Sequence, residues 1–199
     1  MNEVKPRYEF RVWADGLGAL HERMDRLAQA NITDSQETYL ISASTHKCNA
    51  KIRAALMDIK VLVAEDQGLE QWRPILKAGF PLKSAIIATQ VFSSLELPAP
   101  SLPQSAYDVN GFIELMAHAD RIAVVDVRKT RYQYRIGNCS AEYAQITIND
   151  VPRDTVAVES VDGNAVLRLV GDLGITSANT SYIREIKRVL GWVSQGVGF

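Results

Sequence analysis

Cationic residues recur in this chain at the i and i+2 spacing that puts both on one face of an extended segment. Arg7 and Arg11 flank Glu9. Lys51 is followed by Arg53, and Lys129 by Arg131 with Gln133 and Arg135 continuing the same face; Lys60 shares its face with Asp58. Two like charges about 6 Å apart at an effective dielectric of about 20 repel by roughly 3 kcal/mol, so a convergence of such faces calls for a polyanion. Glu9, Glu142 and Glu159 lie on segments of the same kind. They offset part of the repulsion and supply the oxygen ligands a divalent cation prefers. Cations for phosphate oxygens and carboxylates for Mg2+ or Mn2+ are the two parts that phosphoryl chemistry requires. On any one strand, a charged face is more simply a solvated one; the number of segments sharing the pattern is what points to a site.

The elements that must carry these residues are strands with one apolar face. Tyr8, Phe10 and Val12 alternate with the charges of Arg7 to Trp13, as do Ile52 and Ala54, Ile59 and Val61, and Tyr132 and Tyr134 on their own segments. Asp15 is the expected N-cap of an amphipathic helix bearing Leu17, Leu20, Met24 and Leu27 and ending near Ala30. Strands are expected over 38–44, 50–56, 57–64 and 70–76, with no Asn-Gly signal at the junction of the second and third. A helix over 83–95 precedes the proline-rich segment 98–103, which divides the chain almost in half. A helix over 109–118, strands over 122–135, 139–148 and 155–160, and helices over 164–173 and 181–190 follow. The last helix carries Tyr182, Arg184, Lys187 and Arg188, read as a solvated face in preference to a plug. Trp13, Trp72 and Trp192 are expected to pack helices on the sheet.

Composition bounds the function. The chain has 199 residues, 47% hydrophobic and 23% charged, with a formal net charge of -1. That composition is of a globular protein with a sizeable core, and it excludes disorder and a uniformly basic nucleic-acid or membrane magnet, so any anion site is local. Cys48 and Cys139 are too few for a disulfide framework and are expected as buried thiols. No segment reads as a signal peptide or a membrane span, so a cytoplasmic protein is the expectation. Dinucleotide, P-loop and nucleophile-elbow motifs are lacking, and His21, His46 and His118 are scattered.

In this order the charged segments resemble the CYTH family, the triphosphate tunnel metalloenzymes, which include class IV adenylate cyclases, thiamine triphosphatases and inorganic triphosphatases. The family opens on a Glu-x-Glu-x-Lys strand; here the segment is Arg7-Tyr8-Glu9-Phe10-Arg11. Its Arg-x-Arg strand is matched by Lys51-Ile52-Arg53 and the next by Asp58-Ile59-Lys60. Its Lys-x-Arg strand is matched by Lys129-Thr130-Arg131, its acidic strand by Glu142, and its late Glu-x-Glu strand by Ala157-Val158-Glu159. Arg7, Arg11 and Ala157 depart from the pattern, removing two of the expected carboxylates.

The resemblance implies an α+β fold. In it an antiparallel eight-stranded tunnel-like β-barrel with a polar interior is flanked by helices, as one domain over 1–199 in two halves joined at 98–103. It implies a triphosphate ligand clamped by Arg7, Arg11, Lys51, Arg53, Lys60, Lys129 and Arg131, Mg2+ or Mn2+ held by Glu9, Glu142 and Glu159, and catalytic roles for Glu9 and Lys60. Metal-dependent hydrolysis of inorganic triphosphate, thiamine triphosphate or a nucleoside triphosphate is the leading expectation. A non-catalytic module for a phosphorylated or polyanionic ligand, its metal site decayed, stands beside it, and a class IV-type adenylate cyclase is a further alternative. A calycin-like barrel for an apolar ligand is disfavoured by Arg53, Lys129 and Arg131. The expected partner is a triphosphate-containing small molecule, with no membrane, no double-stranded nucleic acid, and a homodimer as an open option.

Overall fold

In a computed structural model, which describes residues 5–193, eight antiparallel strands close into a barrel. The strands are β1 (Arg7–Trp13), β2 (Asn31–Ser42), β3 (Cys48–Arg53), β4 (Leu56–Asp66), β5 (Leu69–Gly79) and, after a two-stranded sheet of β6 (Leu82–Lys83) and β7 (Ala106–Tyr107), β8 (Ile122–Ile136), β9 (Cys139–Ile148) and β10 (Val151–Ser160). Around the barrel the order is β1-β10-β9-β8-β2-β3-β4-β5, so strands from both sides of the proline-rich segment share one wall.

The described residues also form five helices: α1 (Gly18–Leu27), α2 (Ser84–Ile86), which continues as π-helical turns over Ile87–Phe92, α3 (Val109–Ala117), α4 (Gly163–Asp172) and α5 (Tyr182–Val189). Among the described residues no helix is long and apolar enough to cross a membrane.

The strand alternation seen in the sequence becomes an outer and an inner layer. Val12, Tyr134, Tyr143, Val156 and Val158 face outward and pack with Met24 of α1 and Val166 and Leu169 of α4. Ala50, Ile52, Met57 and Ile59 do the same under Ile87 and Val91 of the π-helical turns and Phe112 and Met116 of α3. These outward faces bury their apolar area against helices, and the charged positions between them necessarily turn inward.

The third apolar cluster lies inside the barrel. Tyr39, Ile41, Trp72, Val125, Val127, Ile146 and Ile148 pack with Tyr182, Ile183 and Ile186 of α5, which therefore stops one end of the bore. The barrel interior is polar along one part and apolar along the other. The solvated face expected for the last helix is corrected here: Tyr182 is 6% and Lys187 7% exposed, and Lys187 Nζ donates to the Thr45 carbonyl at 2.8 Å. Only Arg184 and Arg188 remain half-exposed. The segment before α5 is held in place by β1. β1 pairs with β5 only over Arg7 to Glu9; beyond that, Asn179 Oδ1 accepts from the Arg11 amide at 2.8 Å and the Thr180 amide donates to the Arg11 carbonyl at 2.8 Å.

Smaller expectations shift at element ends. Asp15 does not cap α1; the helix begins at Gly18 with Leu17 at its N-cap and no side-chain bond there, because Gly16 takes a left-handed backbone, φ 79°, between them. The same helix stops at Leu27, where Ala28 turns extended. The β3–β4 hairpin turns on Ala54 and Ala55, both left-handed at φ 48° and 55°, although neither residue advertises such a turn. Trp72 is buried inside the barrel, and Trp192 is 40% exposed. Both cysteines are free and buried, and burial raises Cys48 to about 12, as expected of an inert thiol.

Candidate functional site

The inward faces of β1, β2, β3, β4, β8, β9 and β10 enclose a cavity of about 610 Å3, within the range of small-molecule sites. Arg11, Lys51, Arg53, Lys60, Lys129, Arg131 and Arg135 line it, with Glu9, Glu37, Asp58, Glu142 and Glu159. Every residue singled out for the clamp is therefore on its wall except Arg7, which is more than half exposed and reaches Glu159 at 2.8 Å from beside the cavity.

The floor is built from Arg11, Tyr39, Lys129 and Tyr182, all buried. The Arg11 guanidinium carbon lies 4.3 Å and Lys129 Nζ 4.2 Å from the centre of the Tyr182 ring, placing two cations against one aromatic ring. Arg11 is further fixed by Glu9 at 2.9 Å and by Thr155 Oγ1 at 3.2 Å. At the opposite end, Gln29, Asn31 and Arg135 are exposed and form the mouth.

Glu37 organises the cations, and sequence reasoning passed over it. Its side chain is fully buried, and it accepts from Lys129 at 2.7 Å, Lys51 at 3.0 Å and Arg53 at 3.5 Å. Burial by itself would raise the Glu37 carboxyl, but Lys129 and Lys51 hold it far below the ordinary range. One carboxylate cannot offset three cations. Accordingly burial, reinforced by Lys51 and opposed by Glu37, lowers Lys129 to about 7, and burial lowers Lys51 as well. Among the described residues Lys60 and Arg135 make no ion pair within 4 Å. The site thus carries uncompensated positive charge.

The expected metal ligands do not converge. Register sets Glu70, Glu9 and Glu159 side by side across β5, β1 and β10, yet each carboxylate turns to its own donor. Glu9 binds Arg11, Glu159 binds Arg7, and Glu70 accepts from Trp72 Nε1 at 3.1 Å. Glu142 is engaged by Arg131, whose Nε donates at 2.7 Å, and lies 3.7 Å from Arg11. Burial would raise Glu9, but Arg11, Lys60 and Lys51 together pull it down, so it is an ionised partner of cations. Among the described residues no three His, Cys, Asp or Glu side chains gather as a ligand group. The carboxylates present do not fit a divalent cation.

Asn179 was not expected either; its Nδ2 donates to the carbonyls of Glu9 at 3.1 Å and Gly68 at 3.0 Å, bracing the strand that carries Glu9 and Arg11. Nothing in the local sequence pattern marks it.

The same fold occurs in solved structures of little sequence similarity. A conserved hypothetical protein from Pyrococcus furiosus superposes with a TM-score of 0.55 at 10% identity, covering 89% of this chain and 98% of the other. A candidate adenylate cyclase from Bacillus halodurans gives 0.52 at 7% identity, covering 90% and 95%. A protein from Hippeastrum with a dominant triphosphatase activity gives 0.50 at 11% identity, covering 93% and 96%. Neither the family models nor the curated proteins compared with the chain match it.

Proposed function

We propose that the chain is a divergent member of the triphosphate tunnel family that binds a linear oligophosphate of the triphosphate class without a resident metal. The observation carrying this is the excess of buried and half-buried cations over carboxylates in one closed-ended cavity: Lys51, Lys129 and Arg53 share Glu37, while Lys60 is uncommitted. Phosphate oxygens supply the missing negative charge. Arg11 and Arg131 present planar donor forks, and Lys51, Lys60 and Lys129 act as point charges of adjustable direction.

Hydrolysis needs charge neutralised at the bridging and terminal oxygens and an activated water. The Arg–carboxylate pairs that occupy Glu9, Glu142 and Glu159 oppose the metal-dependent route expected from the family resemblance, and the binding module is the reading the geometry supports best. Fold similarity to a triphosphatase supports the ligand class and leaves the reaction to experiment.

Calorimetry with tripolyphosphate, with and without EDTA, tests this. Tight binding that ignores EDTA, with no phosphate released from tripolyphosphate, ATP or thiamine triphosphate in Mg2+ or Mn2+, is the expected result. Metal-dependent phosphate release overturns the binding-only reading, and no binding at all overturns the ligand class.

A further inference from the structure

We infer that the cavity is a one-mouthed cup that accepts only oligophosphates with a free phosphoryl end, and that the Tyr182 hydroxyl contacts that end. This inference rests on the oligophosphate reading and goes beyond it by stating which ligands of that class can enter and which way round they lie.

Tyr182 is 6% exposed and lines the cavity, yet its hydroxyl has no hydrogen-bond partner among the described residues. A buried hydroxyl left unpaired is costly, and native structures rarely leave one so unless a ligand or water completes it. The ring is held by everything except the hydroxyl. It meets Trp13 edge to face, with ring centres 4.8 Å apart, it stacks on Tyr39 at 5.7 Å, and Arg11 and Lys129 sit against the ring. The hydroxyl is thus a rigidly placed donor on the ring that the two most deeply buried cations of the site pack against. These three groups together match a terminal phosphoryl group, which offers three oxygens and the highest charge of the chain.

Beyond Tyr182 the bore is filled by Ile41, Val125, Val127, Ile183 and Ile186, so nothing attached to the deep phosphate has room to continue. A chain esterified at one end enters with its free end first and leaves the organic group near Gln29, Asn31 and Arg135 at the mouth. A chain esterified at both ends has no phosphoryl group to present to the floor.

The test compares three ligands on the full chain by calorimetry: tripolyphosphate, free at both ends; ATP, free at one; and diadenosine triphosphate, free at neither. Measurable affinity for the first two, with the third at least tenfold weaker than ATP, is expected. Equal affinity for diadenosine triphosphate and ATP overturns the cup while leaving the oligophosphate reading standing; failure of tripolyphosphate itself to bind overturns both.

Tyr182→Phe keeps the ring and its contacts and removes only the unpaired hydroxyl. It is expected to weaken tripolyphosphate about tenfold and to leave the melting temperature unchanged or raised, because the hydroxyl bonds none of the described residues. Unchanged affinity, or a lowered melting temperature, overturns the role given to the hydroxyl.

Discussion

Lys129 Nζ lies 2.7 Å from Glu37 Oε2, joining the neighbouring strands β8 and β2 by a buried ion pair. The same Glu37 oxygen accepts from Lys51 at 3.0 Å. Two ammonium groups on one carboxylate oxygen set the energetics of the whole site.

Removing that carboxylate leaves buried cations facing one another. Breaking one side of a buried charge cluster costs about 3–5 kcal/mol, so Glu37→Gln is expected to lower unfolding stability by about that much in urea, which does not screen charge. Because the ligand would replace the lost negative charge, tripolyphosphate should raise the melting temperature of this variant more than that of the wild type. An equal or smaller ligand-induced shift would mean that the phosphates do not meet these lysines.

Affinity should depend on pH through Lys129, which burial and Lys51 lower to about 7. The protonated amine is the form that binds an anion, so the contribution of Lys129 is present below about pH 7 and is lost as the pH rises through it. In the free protein the sign for stability is opposite. The unfolded lysine keeps its proton up to about pH 10.4, so this group favours the fold increasingly as pH rises above about 7. Titrating oligophosphate gains charge over the same range, which calls for an internal comparison. The ratio of wild-type to Lys129→Arg affinity is expected to fall several-fold between about pH 6 and pH 8.5; a flat ratio would count against a titrating Lys129.

Arg11 carries both structure and binding. It is 6% exposed and bridges Glu9, Thr155 and the Tyr182 ring. Arg11→Met leaves Glu9 without its nearest cation and is expected to destabilise the fold by about 3 kcal/mol and to weaken tripolyphosphate by more than tenfold. Arg11→Lys should recover part of the affinity, as charge is kept and the planar fork lost. Denaturation and calorimetry on the two variants separate the effects.

A stabilising change is available at a turn whose own residues do not line the cavity. Ala54 and Ala55 both occupy left-handed backbone at φ 48° and 55° in the two-residue turn that follows Arg53, a conformation that costs an alanine about 1 kcal/mol and that Asn-Gly adopts readily. Replacing Ala54-Ala55 by Asn-Gly is expected to raise unfolding stability by about 1 kcal/mol with tripolyphosphate affinity unchanged, read from denaturant midpoints.

Much of the barrel could be read from alternation alone. On β1, β3 and β8 a charged face backs an apolar one, and once helices cover the apolar side the charges of Arg11, Lys51, Arg53, Lys129 and Arg131 must share the interior. Glu37 escaped because β2 offers no such contrast. Thr33 to Gln36 are polar on both faces and even Ile32 before them is exposed, and Tyr39, Leu40 and Ile41 are buried on both, since the inner face there is the apolar floor. Periodicity has nothing to report where both faces meet the same environment. Arg7 escaped in the other direction, keeping the spacing of the site while its side chain lies beside the cavity.

The order of residues along the chain settled, by itself, which side chains alternate and hence that cations from separate strands would lie on one face of a sheet; a period of two is a local property of extended backbone. Only the tertiary structure decided what those cations face. The pairing of β2 with both β3 and β8 brought Glu37 among three of them, and the order and register of the strands gave Glu9, Glu142 and Glu159 to arginines. The tertiary structure also drew α5 over the far end with Tyr182 pointing in. Each of these depends on distances between residues up to about 170 positions apart, which no local pattern encodes, because loop closure and packing between elements set them.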